Sequence, residues 1–168
     1  MNMKQHSFKR WWRHLNMTRW QLRRTFPTAA LQAITDTIRG SERQHGGEIR
    51  VAIEADLSVR ALFSGQTPRE RALEVFALLG VWDTQDRNGV LIYLCLADHD
   101  VEIVADCGLH AHISDTQWAE ICSELERDCA AGRFGEGVCA AIRAAGQLIG
   151  GHFPVADRNE QADPPTLL

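Results

Sequence analysis

Apolar positions along the chain recur with two periods, and each predicts an element. Ala30, Leu31, Ile34 and Ile38 follow Pro27 at helical spacing and predict a helix to about Gln44, ended by His45-Gly46-Gly47. From Glu48 to Glu54 the period changes to two, with Ile49, Val51 and Ile53 on one face, the mark of a strand. Thr67-Pro68-Arg69-Glu70 has the spacing of a capping box and opens a helix with Ala72, Val75, Phe76 and Leu79 inside and Gly80 at its end. Val90 to Ala97 is apolar on both faces, so it reads as a central strand covered on both sides. A turn at Asp98-His99-Asp100 leads to a second strand, Val101–Asp106, making a hairpin. Ser114 and Asp115 can cap a helix carrying Trp118, Ile121, Cys122 and Leu125. A last helix runs from Phe134 through Val138, Ala141, Ile142, Ala145 and Ile149 to Gly150-Gly151. This order predicts an α/β fold, a three-layer α/β/α sandwich around a small mixed sheet.

The two ends read differently from this body. Phe8, Trp11, Trp12 and Leu15 form one helical stripe in a segment, residues 1–24, that carries seven basic side chains and no acid. It leaves 11 basic and 22 acidic side chains in the rest of the 168-residue chain, a charge of −11. Such an arm docks on its own body or a second subunit, or lies on an anionic membrane surface. The acidic body argues against nucleic acid as a partner, because phosphates would be repelled. Residues 25–153 form the body, and the polar, proline-containing residues 154–168 are expected to be a disordered tail. No apolar run approaches the ~18–20 residues of a membrane-spanning helix. The odd set of five cysteines, without a CxxC pair, suits neither a disulfide framework nor a zinc ribbon and points to a reducing cytoplasm.

Four groups of residues carry candidate chemistry. His45-Gly46-Gly47-Glu48 stands at a strand mouth but is equally a helix stop. Asp83, Asp86, Arg87, Asn88 and Gly89 form a loop whose oxygens suit a hard cation, or turn residues chosen for their backbone. Asp98, His99, Asp100, Glu102, Asp106, His110 and His112 mix acids and imidazoles in the manner of a transition-metal site, or of a polar hairpin turn. Gly132 to Gly137 opens a helix and could receive an anion, or simply place Glu136 against the helix dipole. No nucleophile elbow, HExxH or paired catalytic acids stand out.

Gly47-Glu48-Ile49-Arg50-Val51, Arg87-Asn88-Gly89-Val90-Leu91-Ile92-Tyr93, Val101–Asp106 with Gly108-Leu109, and Phe134-Gly135-Glu136-Gly137-Val138 together resemble the TPM domain, in its shorter soluble bacterial branch, from about Pro27 to Phe153. The resemblance implies the same α/β/α sandwich. It implies Asp86, Asn88, Asp106 and Glu136 as ligands of a divalent cation, calcium or magnesium. It implies a binding module for a protein partner, a membrane protein among the candidates, or for a second copy. The alternatives are a weak metal-assisted acid phosphatase and a membrane-surface adaptor working through the arm. All of these place the protein in the cytoplasm, free or peripheral to a membrane.

Overall fold

Strict alternation in β1 (Glu48–Glu54) and a continuous apolar run in β2 (Gly89–Cys95) leave both strands with two buried faces, and they pair in parallel from Glu48↔Gly89 to Glu54↔Cys95. The computed structural model describes residues 10–14, 17, 19–154 and 164–168. β3 (Asp100–Ala105) returns antiparallel to β2 through the tight hairpin, with Cys95 opposite Asp100 and His99 at a φ of 55°. With β4 (Thr166–Leu167) the sheet order is β3-β2-β1-β4, and all seven residues of β2 are buried, as expected for the central strand.

Helices cover both faces. On one side lie α3 (Thr28–Glu42), α7 (Asp115–Ala130) and α8 (Phe134–Gly150). Their Ile34, Ile38, Trp118, Ile121, Leu125 and Ile142 pack on Ile49, Val51, Ile53, Val90, Ile92 and Leu94. On the other side α4 (Val59–Phe63) and α5 (Pro68–Leu78) place Leu62, Ala72 and Val75 on Ala52, Leu91, Tyr93 and Val104. The sandwich is therefore asymmetric, with three substantial helices against two short ones. The capping box at Thr67 and Glu70 forms as its spacing predicts, and Ser114 caps α7 in the same way with Gln117.

Differences from the sequence reading are local. Pro27 is the N-cap of α3 rather than its first residue, and the helix ends at Glu42. Two short helices, α4 and α6 (Cys107–His110), fill what reads as loop, capped by Ser58 and Asp106. The expectation of a disordered tail over 154–168 is corrected at its far end. Thr166–Leu167 form β4, paired in parallel with Ala52 and Ile53, and Leu168 N–H donates to Ile53 O at 3.0 Å. Residues 155–163 lie outside the described residues. At the opposite edge two outward carbonyls of β3 meet side chains: Arg69 donates to Ile103 O, and His110 Nε2 stands 3.1 Å from Ala105 O.

The arm docks. The described part of its first helix, α1 (residues 10–14), sits against the hairpin turn and α4, and α2 (Arg19–Thr25) leads into α3 with Leu22 and Phe26 in the core. Phe8 and Leu15 of the proposed stripe lie outside the described residues. Of the other two, Trp11 packs edge-on against Phe63 at 4.5 Å between ring centroids, while Trp12 is 63% exposed.

Candidate functional site

Three of the four residues expected to hold a cation are brought together where β2 begins and β3 ends. Asp106 N–H donates to Gly89 O at 2.9 Å, and Gly108 N–H to Arg87 O at 2.9 Å, which zips the loop before β2 to the loop after β3. Arg87 takes a φ of 51°, an uncommon conformation for a residue with a Cβ. Gly108 is required here, since a Cβ would run into the carbonyls of Asp86 and Arg87.

Within this junction the side chains have structural duties. Asn88 is buried, its Nδ2 donates to Gly46 O at 2.9 Å, and its backbone N–H donates to Thr84 Oγ1 at 3.1 Å. It ties the loop before β1 to the loop before β2. Asp106 Oδ1 accepts from Cys107 N at 2.7 Å, capping α6. Asp86 is exposed, and the guanidinium of Arg87 lies against Cys107 Sγ at 3.8 Å.

Glu136 is not part of the cluster. A Cβ on Gly47 would stand 2.6 Å from Ile149 Cγ2 and 3.2 Å from Asn88 O, so the last turn of α8 is beside the junction. Glu136 is in the first turn of that helix. Thirteen residues at 1.5 Å each put it about 20 Å away. The four-ligand grouping is corrected on that ground. What the junction offers a hard cation is Asp86 and the second oxygen of Asp106, beside a positive charge, well short of the six to eight oxygens calcium takes.

A denser polar cluster lies at the other end of the sheet, at the hairpin turn. Asp98, its side chain 6% exposed, receives both Nε and one terminal nitrogen of Arg10 at 2.8 Å each. Arg13 stands 3.8 Å away and His14 Nε2 3.0 Å away. His14 is itself buried, and its Nδ1 accepts from Leu57 N at 3.0 Å, so the ring proton is on the nitrogen facing Asp98. Burial alone would raise the Asp98 carboxyl, but the hydrogen bonds from His14 and Arg10 prevail and hold it well below the usual carboxylate range. Cys95 Sγ approaches the same carboxylate at 3.9 Å.

Donor atoms of His14, Cys95 and Asp98 lie within 4.8 Å of one another, close enough for one metal ion. The surroundings oppose it. Arg10 occupies both Asp98 oxygens, Arg13 adds a second positive charge, and burial pushes the Cys95 thiol up to about 12, so that it is protonated rather than a thiolate ligand. The cluster is a clamp that holds the arm on the body. Sequence reading singles out Asp98 but not His14 or Arg10, because their pairing joins positions far apart in the chain. The signal available was the pairing of an acid-free basic arm with acidic turns.

Beside the clamp, a cleft of about 600 Å³ lies between α4, α5 and the end of β1, with Gln66, Ser58 and Arg60 in its wall. Glu54 at its base accepts from Tyr93 OH at 2.5 Å and from Arg71 through two bonds of 2.9 Å, and Arg71 also reaches Glu74 at 3.2 Å. This network spends its hydrogen bonds on joining β1, β2 and α5.

Comparison with known proteins bears on this architecture. The chain is similar in structure to a protein of the psychrophilic bacterium Bizionia argentinensis, solved by NMR, with a TM-score of 0.72 and 28% identity over 85% of this chain and 95% of that one. It shares its fold with the N-terminal domain of a protein from P.gingivalis, solved by NMR, at a TM-score of 0.61 and 19% identity over 79% of this chain and 82% of that one. No curated protein sequence matches it. The TPM domain model matches residues 22–148, which span β1 to β3 and most of α8 and make up well over half of the 168 residues, so the chain belongs to the TPM domain family.

Proposed function

We propose that this TPM domain is a binding module that engages a protein partner through the layer built by α4, α5 and the arm. The supporting observation is where large apolar side chains are exposed. Trp12 on the arm, Val59 and Phe63 on α4, Leu73 and Leu78 on α5, Trp82 just after it and Leu167 on β4 are all between 40% and 77% exposed. Among the described residues, Trp20 on α2 is the remaining large exposed apolar side chain, and α3, α7 and α8 present none. Scattered apolar surface needs no explanation, but its concentration on one layer marks an interaction face. The clamp supports the same reading, because it fixes Trp11 and Trp12 beside α4 instead of leaving the arm free.

Photo-cross-linking tests this reading. A photo-reactive phenylalanine at Phe63 or Leu78 is expected to give a discrete protein adduct in cells, and one at Glu120 on exposed α7 is expected to give none. Equal adducts from all three positions, or none, would overturn it. Co-sedimentation with anionic vesicles that is lost in Trp12→Asp would assign the face to a membrane surface instead. The second reading, a metal-assisted phosphomonoesterase, is supported by the junction of the Asp86 and Asp106 loops. Its sign would be hydrolysis of p-nitrophenyl phosphate that requires calcium or magnesium and is lost in Asp86→Ala.

A further inference from the structure

We propose that His112 and His152 form a surface site for a transition-metal ion of the zinc class, held by the two imidazoles and completed by water. The inference is independent of the partner face on α4 and α5, and of the oxygen ligands at Asp86 and Asp106.

The fold assembles the pair from distant segments. His112 lies in the link between α6 and α7, and His152 lies just past the end of α8. Their rings stack with 5.0 Å between centroids and 22° between planes. The backbone under each ring is pinned. His112 N–H donates to Leu109 O at 3.0 Å, and Leu109 and Ile113 on either side are buried in the core. His152 N–H donates to Ile149 O at 2.9 Å, and the next carbonyl, Phe153 O, accepts from Gly46 N–H at 3.0 Å. Phe153 also meets the His112 ring edge-on at 5.6 Å. Ligands held in place before binding lose little freedom when an ion arrives.

The ring nitrogens are uncommitted, unlike those of three other histidines. His14 Nδ1 accepts from Leu57 N–H, His45 Nε2 is bonded to Ser41 Oγ, and His110 Nε2 lies on Ala105 O. Among the described residues, the His112 and His152 rings meet each other and, at His112, Phe153, and no hydrogen bond holds their nitrogens. Both side chains are exposed, so those nitrogens face water.

The separation is the one an ion needs. A zinc–nitrogen bond of about 2.05 Å, with the ring centre about 1.15 Å behind the nitrogen, puts each centre about 3.2 Å from the metal. Two such rings at the tetrahedral angle have centres about 5.2 Å apart, close to the distance here. Rotation about the Cβ–Cγ bond re-aims the nitrogens and leaves the ring centre nearly in place, because that axis runs through the ring. Imidazole ligands select zinc, copper or nickel over calcium and magnesium, which take oxygen. A bound ion would tie the α6–α7 link to the end of α8.

Calorimetric titration of the full chain with zinc chloride is expected to show one ion bound per chain, and an excess of calcium or magnesium is expected not to displace it. His112→Gln and His152→Gln should each lower the affinity about ten-fold or more. His110→Gln, Asp86→Ala and Cys107→Ser, the last removing an exposed thiol, should leave it unchanged. In the parent chain, the imidazole nitrogen NMR signals of His112 and His152 should shift together as zinc is added. Absence of zinc binding, binding that survives both histidine variants, binding lost in Cys107→Ser or Asp86→Ala, or signals from this pair that stay in place would each overturn the proposal. Because the NMR measurement uses the parent chain, a folding defect in a variant does not decide the matter.

Discussion

Asp98→Asn should detach the arm, and the size of the effect follows from the geometry of the clamp. The substitution keeps the shape of the side chain and removes its charge, leaving Arg10, Arg13 and His14 facing a neutral amide. Two bonds of 2.8 Å from Arg10 are charge-assisted, and the carboxylate they reach is nearly buried. Hydrogen bonds to charged groups contribute about 1.5–3 kcal/mol each. Arg10 is itself partly exposed and Arg13 is nearly half exposed, so solvent screening reduces the sum to about 2–3 kcal/mol for the whole clamp. For a chain of this size that corresponds to a melting temperature lower by about 5–10 °C. The dependence on pH has a definite sign. Asp98 is depressed in the folded state, so its contribution is complete above the unfolded carboxylate value of about 3.9 and is lost as pH falls below it. Calorimetry should therefore show a constant gap between parent and variant from pH 5 to 8 that closes in more acidic solution. Trypsin should cleave at Arg10 and Arg13 faster in the variant. A variant that melts within about 1 °C of the parent and is cleaved at the same rate would refute the clamp.

Asp100 should behave in the opposite way: burial first, then the nearby charges of Glu102, Glu126 and Asp98, push its carboxyl up to about 6, so ionising it costs the folded state stability at neutral pH. Asp100→Asn should raise the melting temperature at pH 8 by a few degrees, about 1–2 kcal/mol after allowing for its half-exposed position, and the gain should vanish below about pH 4, as thermal melts at both pH values would show. At the loop junction, Arg87→Asp should strengthen calcium binding by roughly ten-fold or more in calorimetric titration, because it replaces a repelling charge with a ligand oxygen, whereas unchanged affinity would exclude Asp86 and Asp106 as a cation site.

The parts of the fold legible in the sequence are those set by local pattern. β1 alternates because Ile49, Val51 and Ile53 enter the larger core while the other face carries Ala52 and the hydrogen-bonded Glu54, β2 is apolar throughout because both faces are covered, and Thr67 with Glu70 caps α5 through contacts three residues apart. Elements held by distant partners were not legible. α4 is five residues long, too short for a period, and β4 is a strand only because Ala52 and Ile53 are beside it. The duties of the candidate site residues are set by distant partners in the same way. Asn88 has the chemistry of a ligand, but its amide is committed to a carbonyl 42 residues away, and Arg10 reaches Asp98 across 88 residues. Glu136 joins the others through the resemblance to the TPM domain, and only the direction of α8 shows that a helix length separates them.

The side chains at Ile103 O and Ala105 O of β3 limit how copies of this molecule can join. A sheet grows without end only if each unit offers two unpaired borders, one to receive and one to give. Here Arg69 and His110 fill hydrogen-bonding positions along one border, so an incoming backbone would have to displace them. Edge-to-edge stacking of sheets needs bare backbone on each side, so these two side chains oppose it on the β3 side.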